Sequence, residues 1–313
     1  MHIIGHKPQI EIFQKAIKED MLANAYLFSG PDGIGKKMCA IKFAMDINSD
    51  SCGSCPSCRK ILHNTHPDLL IVATEEDKKD ITIEQMRIMQ SQIQMHPLEG
   101  LYKVIIIDNA EDMSGSAANS ILKTLEEPPK KTIFILITSR EHRLLPTILS
   151  RCQKIRFSPP SFEETVSLVK SARETDETTA KIIASVASGS PGIALKFPID
   201  ILKDVAESLS KLLSKPRASE VLAIAERWGK DSSNQHFIIS SLLTIYNDMS
   251  IYQASKKIPI FSAFLPNLTE IAASTSPSIM QKHLASICSA GNDIETTYNK
   301  QLLFEQLLFS LSI

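Results

Sequence analysis

Five short β-rich runs crowd the first half of the chain, and none follows Pro159-Pro160. They are Ala25-Tyr26-Leu27-Phe28-Ser29, Leu69-Leu70-Ile71-Val72, Val104-Ile105-Ile106-Ile107, Thr132-Ile133-Phe134-Ile135-Leu136-Ile137 and Gln153-Lys154-Ile155-Arg156-Phe157. Near-continuous apolar strands are buried on both faces, as in a parallel sheet flanked by helices. Helical periods lie between them. Lys36 to Ile47 turns Cys39, Ile41, Ala44 and Met45 inward, and Ala117 to Leu125 sets Ala118, Ile121, Leu122 and Leu125 on one face. The first half is therefore expected to be α/β.

Pro159-Pro160 ends the last strand, because neither residue donates to a ladder and both resist a helix interior. Ser161-Phe162-Glu163-Glu164 has the form of a helix start, and helical periods run to about Ala187. Gly189-Ser190-Pro191-Gly192 interrupts, a short helix follows, and Pro198 breaks the chain again. From Ile199 to Ile313 the pattern is helical throughout, ending in Leu302, Leu303, Leu307, Leu308 and Leu311. Three parts are expected: an α/β domain over 1–158, a small helical unit over 159–198 and an all-helical unit over 199–313. Trp228 and the Leu/Phe-rich end read as core or inter-subunit packing.

With 313 residues and 43% hydrophobic content, each part has enough apolar material for a core. A net charge of -1 means that contact with nucleic acid has to come from a local patch or from partner subunits. The N-terminus lacks the basic start and apolar centre of a secretory signal, and no run approaches the ~18 apolar residues of a membrane helix, so a cytoplasmic protein is expected. In a reducing compartment the close trio Cys52, Cys55 and Cys58 suggests metal before disulfide.

Between the first run and its helix stands Gly30-Pro31-Asp32-Gly33-Ile34-Gly35-Lys36-Lys37. Strand, glycine-rich loop and helix is the context of a phosphate-binding loop. Gly30, Gly33 and Gly35 let backbone N–H groups face phosphate oxygens, Lys36 reaches the outer phosphates, and the helix start adds positive dipole. The next position should supply a hydroxyl to Mg²⁺, and Lys37 offers no acceptor. Asp108, ending the third run, suits a carboxylate that holds the metal's water shell. It is followed by Asn109, and an amide cannot act as a base toward water.

Thr65-His66-Pro67-Asp68, Asn119-Ser120-Ile121-Leu122-Lys123-Thr124-Leu125-Glu126-Glu127-Pro128-Pro129 and Ser150-Arg151-Cys152 occur in that order. With the loop, they resemble the clamp-loader branch of the AAA+ ATPases from the N-terminus to about Phe197. Beyond that, the likeness lies only in helical character and length. The resemblance implies an AAA+ core, a helical lid and a helical C-terminal collar for oligomerisation. Its hydrolysing members place an arginine where Gly192 stands here, a third departure from the active pattern. Loss of the chemistry with retention of Ser-Arg-Cys resembles the delta-prime type of loader subunit within DNA polymerase III.

That resemblance implies gamma/tau-type ATPase and delta-type subunits as partners, with the sliding clamp and primer-template DNA met through the complex. Alone, Arg151 reads as a surface arginine paired with a carboxylate. Within the family it is an arginine finger, acting in trans on the ATP of a neighbouring subunit. ATP would be held by Gly30, Gly33, Gly35, Lys36 and Asp108 without being hydrolysed, or not held at all. Lys123 is either a solvated side chain or one that approaches DNA phosphate.

The cysteine insert at 49–66 places three thiols at CxxC spacing, twice over. Relatives with such an insert hold structural Zn²⁺ through four cysteines, the first of which is missing here. Asp46, Asp50, His63 or His66 could close the tetrahedron, Cys39 belongs to a helix, or the insert is a metal-free relic. His66 has the simpler reading of fixing a turn before Pro67. Two rival functions remain at this stage: an active gamma/tau-type loader ATPase, and a free zinc-dependent nucleic-acid-binding module resting on the thiols alone.

Overall fold

All five runs join one sheet, seen in a computed structural model that describes residues 3–49, 52–75, 78, 80–214, 216–294 and 299–312. The strands are β1 (Ala25–Ser29), β2 (Leu69–Val72), β3 (Lys103–Ile107), β4 (Thr132–Thr138) and β5 (Gln153–Arg156). Their order is β2-β3-β4-β1-β5 and every pairing is parallel. The strand period of two splits the apolar residues between two cores. Tyr26, Phe28, Val104, Ile106, Ile133, Ile135 and Ile137 pack with α1 (Lys7–Lys18), α2 (Lys36–Asn48) and α3 (Pro56–Leu62). Ala25, Leu27, Ile105, Ile107, Phe134 and Leu136 pack with α4 (Ile83–Ile93), α5 (Gly115–Glu126) and α6 (Pro146–Leu149). Helices therefore cover both faces, which is why these strands carry almost no polar alternation. Strand β5 is the exception, with only Ile155 buried, as suits an edge strand.

Register places the chemistry. Ser29 pairs with Thr138 and Ile107 with Leu136, so the residues that follow β1, β3 and β4 emerge together at the C-terminal edge of the sheet. In open α/β sheets this is the edge where ligands bind.

The chain divides into two compact units, Met1–Glu164 and Thr165–Ile313, with α7 (Phe162–Arg173) running across the division. The second unit is helical: α8 (Glu177–Val186), α9 (Pro191–Lys196), α10 (Ile199–Leu212), α11 (Ala218–Lys230), α12 (Gln235–Ser255), α13 (Leu268–Ser274), α14 (Pro277–Asp293) and α15 (Lys300–Leu311). One core serves all of it, from Val169 and Ile183 through Phe197 to Trp228, Tyr246 and Leu308. Trp228 is a core residue, and its indole N–H donates to Asp204 Oδ2 at 2.7 Å. Among the described residues no helix is long and apolar enough to cross a membrane.

Candidate nucleotide and metal sites

The loop between β1 and α2 has the backbone that its glycines foretell. Gly30 is fixed by close approach: a Cβ there would lie 2.2 Å from the Phe157 carbonyl oxygen, so any side chain would push the loop off β5. Gly35 caps α2 with a φ of 102°, a left-handed conformation that costs an L-residue strain. The Gly33 N–H donates to Asp32 Oδ1 at 2.8 Å. His6 braces the loop from outside, its Nε2–H donating to the Ile34 carbonyl at 2.7 Å.

Lys36 is 5% exposed and folds back onto its own loop, donating to the carbonyls of Gly30 and Pro31, both at 2.6 Å. Burial lowers its pKa, while Asp32, Glu111 and Asp108 pull the other way. The next residue, Lys37, places its Nζ 3.0 Å from Asp108 Oδ2. The structure thus brings together the two positions that would hold a metal, and joins them by an ion pair. Asn109 follows with a left-handed φ of 51°.

Glu111 and Ser139 were not singled out by the sequence, yet they complete this edge. Glu111 Oε1 accepts the Ser139 N–H at 2.9 Å and its hydroxyl at 2.7 Å. Burial raises the Glu111 pKa, but the bonds from Ser139, its own backbone N–H and Thr138 together outweigh it and hold the carboxyl below its ordinary range. The available signal was a second carboxylate three residues beyond Asp108. Beside the loop an open cleft of about 480 Å³ is lined by Ser29, Gly30, Ser139, Glu141, Arg156 and Phe157 among others. Position 109 provides this edge with no base. Gly192 lies in the second unit, in the first turn of α9.

Arg151 follows α6 and its partners are not those of the phosphate loop. Its Nε donates to Glu126 Oε1 at 3.0 Å, Nη2 pairs with the same oxygen, and Nη1 donates to the Thr147 carbonyl at 2.7 Å. The surface pairing that the arginine suggested by itself is present, with Glu126 of the Leu-Glu-Glu-Pro-Pro stretch as its carboxylate. Lys123 is exposed in an open groove of about 540 Å³ with Gln90, Gln94, Ser120 and Thr124.

The sulfur atoms of Cys52, Cys55 and Cys58 lie within 4.8 Å of one another. Backbone N–H groups point at them: Cys55 N–H at Cys52 Sγ, 3.3 Å, and Cys58 N–H at Cys55 Sγ, 3.4 Å. Donors from Ser54 first, then Cys55, hold the Cys52 thiol down to about 6. A thiolate ready at neutral pH, beside two further sulfurs within reach of one ion, fits a metal. Among the described residues no fourth His, Cys, Asp or Glu joins this group. Asp46 pairs with Lys42. His66 Nε2 bonds the Ser57 hydroxyl at 3.1 Å and its Nδ1 accepts the Asp68 N–H at 3.1 Å, which bears out the turn-fixing role. His63 is exposed at the end of α3, and Cys39 lies in the core, where burial pushes its thiol up to about 12. Asp50 lies outside the described residues.

The family described as "DNA polymerase III, delta subunit" matches residues 5–161. DNA polymerase III subunit delta' of Bacillus subtilis is 28% identical, over 96% of this chain and 94% of its own length. DNA polymerase III subunit tau of the same organism is also 28% identical, over 81% of this chain but only 50% of its own length. Among solved structures, a DNA polymerase III gamma subunit-related protein of Thermotoga maritima shares the fold, with a TM-score of 0.51 at 23% identity over 97% of this chain and 98% of its own.

Proposed function

Because this chain belongs to the family described as DNA polymerase III, delta subunit, we propose that it is the delta-prime-type subunit of a clamp loader, which lends Arg151 to a neighbouring ATPase and does not hydrolyse ATP itself. In this role it helps load the sliding clamp onto primed DNA during replication. Gamma/tau-type ATPases and a delta-type subunit are its direct partners; clamp and primer-template DNA are met through the complex. The helices beyond residue 198 serve as the collar that joins it to the ring, and 159–198 as the lid.

The observation that carries this reading is Asn109. At the end of β3 the Asp is in place, but the residue that should polarise an attacking water is an amide in a left-handed turn. Correspondence over 96% of this chain and 94% of a delta' subunit supports the same assignment. An active gamma/tau-type enzyme would need a base at 109 and a hydroxyl at 37. Mixing the purified chain with loader ATPase and delta-type subunits, then weighing the product by native mass spectrometry, tests the proposal. A complex holding one copy of this chain is expected; a chain that stays apart overturns it.

For the insert, Cys52, Cys55 and Cys58 would bind structural Zn²⁺ together with a fourth protein ligand from outside this trio. Bound zinc would tie the start of α3 to the segment before it and would need neither base nor substrate cleft. About one zinc per chain is expected by elemental analysis, lost in Cys55→Ser, and a chelator should lower the melting temperature by roughly 5 °C or more. Metal-free protein with an unmoved melting temperature would mark the insert as a relic.

A further inference from the structure

In a phosphate loop that works with a divalent cation, a hydroxyl after the loop lysine and an Asp at the end of the facing strand hold the metal. In this chain those positions are Lys37 and Asp108, and the Lys37 ammonium sits 3.0 Å from the Asp108 carboxylate. An ammonium is all donor: it supplies Asp108 with the positive charge that the metal would bring and gives the metal no ligand. Neighbouring carboxylates are partly engaged, although Glu111 Oε2 is buried and has no hydrogen-bond partner among the described residues. Asp32 Oδ1 accepts the Gly33 N–H, and Glu111 Oε1 accepts both donors of Ser139. The two positions that hold the metal in a working loop therefore offer Mg²⁺ no hydroxyl and a carboxylate already paired with an ammonium.

We propose that Lys37 is a built-in replacement for the divalent cation, which makes the phosphate cradle of this chain indifferent to Mg²⁺. The departure at this position is then a substitution of one cation for another, tethering α2 to β3 without metal, and not merely a lost hydroxyl. A ligand that suits such a cradle is a nucleoside triphosphate or other polyphosphate taken as the free anion. This inference rests on the non-hydrolysing reading above and refines it.

ATP binding in excess Mg²⁺ and in excess EDTA, measured by calorimetry, tests it. The natural chain should bind ATP without gain from Mg²⁺, with affinities in the two media within about twofold; binding absent from both overturns the free-anion ligand. Lys37→Thr frees Asp108 and restores the hydroxyl, and should bind ATP at least ~10-fold tighter with Mg²⁺ than without. Adding Asp108→Asn to that variant should abolish the gain. A natural chain with the same Mg²⁺ gain as Lys37→Thr, or a folded Lys37→Thr with none, overturns the inference. Phosphate release followed in the same samples separates the two readings. Hydrolysis by the natural chain would overturn the proposed function, whereas Mg²⁺-dependent binding without hydrolysis would overturn only the replacement by Lys37.

Discussion

An Arg151→Ala chain is expected to fold and join the complex normally, yet to slow ATP hydrolysis in the adjoining subunit by on the order of 10³ to 10⁵. The two halves of this expectation have different physical sources. In the free chain Arg151 is held by Glu126 and the Thr147 carbonyl, but its side chain is 30% and that of Glu126 49% exposed, so water competes for the pair. Exposed ion pairs contribute about 0–1 kcal/mol, too little to threaten the fold. A guanidinium set against phosphate charge that develops in the transition state is worth about 4–7 kcal/mol on the same rate scale. The imbalance makes the proposed role testable: a merely structural arginine would alter the melting temperature as much as turnover. Clamp- and DNA-stimulated hydrolysis is the measurement, and unchanged turnover would remove Arg151 from the chemistry.

Asp68→Ala should be the most damaging single change in the first unit, at about 3–5 kcal/mol, with a fall in melting temperature of roughly 10 °C or more. The Asp68 side chain is fully buried. Its carboxylate accepts three successive backbone N–H groups, from Leu98, Glu99 and Gly100, at 2.8, 2.8 and 2.7 Å. Alanine would strand all three donors. Asn48 pins the chain two residues further on, accepting the Tyr102 N–H at 2.9 Å, so the whole turn before β3 depends on these two side chains. Burial alone would raise the Asp68 pKa, but the Gly100, Leu98 and Glu99 N–H groups and His66 outweigh it and hold the carboxyl below its ordinary range. The sign follows. With a folded pKa below the unfolded ~3.9, the contribution is complete above about pH 4 and is lost as pH falls through the folded value. Thermal unfolding of the full chain, with amide exchange at 98–102 as local readout, should show a steeper acid loss in the natural chain than in Asp68→Asn. An Asp68→Ala chain that melts with the natural one would refute the role.

The sheet was legible because burial on both faces leaves a mark in single residues. Each apolar run became a strand, and Gly33 and Gly35 of the glycine-rich loop adopt positive φ values of 70° and 102°. Ends were less legible. Helix α5 begins at Gly115, before the expected Ala117, because the Ser114 hydroxyl accepts the Ala117 N–H and fixes the start. Ile41 and Leu122, expected inside, are only half-buried, while Ala40 and Phe43 on α2 are fully buried. The pairs that make the sites were not legible, since they join residues far apart in the chain. Lys37 reads as a missing hydroxyl until Asp108 is seen 3.0 Å away. Asp68 reads as part of a short motif until the three N–H groups some thirty residues on are seen to converge on it. Arg151 and Glu126 each belong to a recognisable stretch, but nothing in either stretch says that they meet.

The sharpest test sets two variants of this chain side by side in a reconstituted loader and follows ATP turnover in the presence of clamp and primed DNA. Lys36→Met removes the loop ammonium that would reach the outer phosphates while keeping an apolar stem; Arg151→Ala removes the guanidinium offered outward. Turnover that survives Lys36→Met and collapses with Arg151→Ala is expected of a subunit that serves its neighbour's ATP. Collapse with Lys36→Met and indifference to Arg151→Ala would mean that the chain is itself a working ATPase.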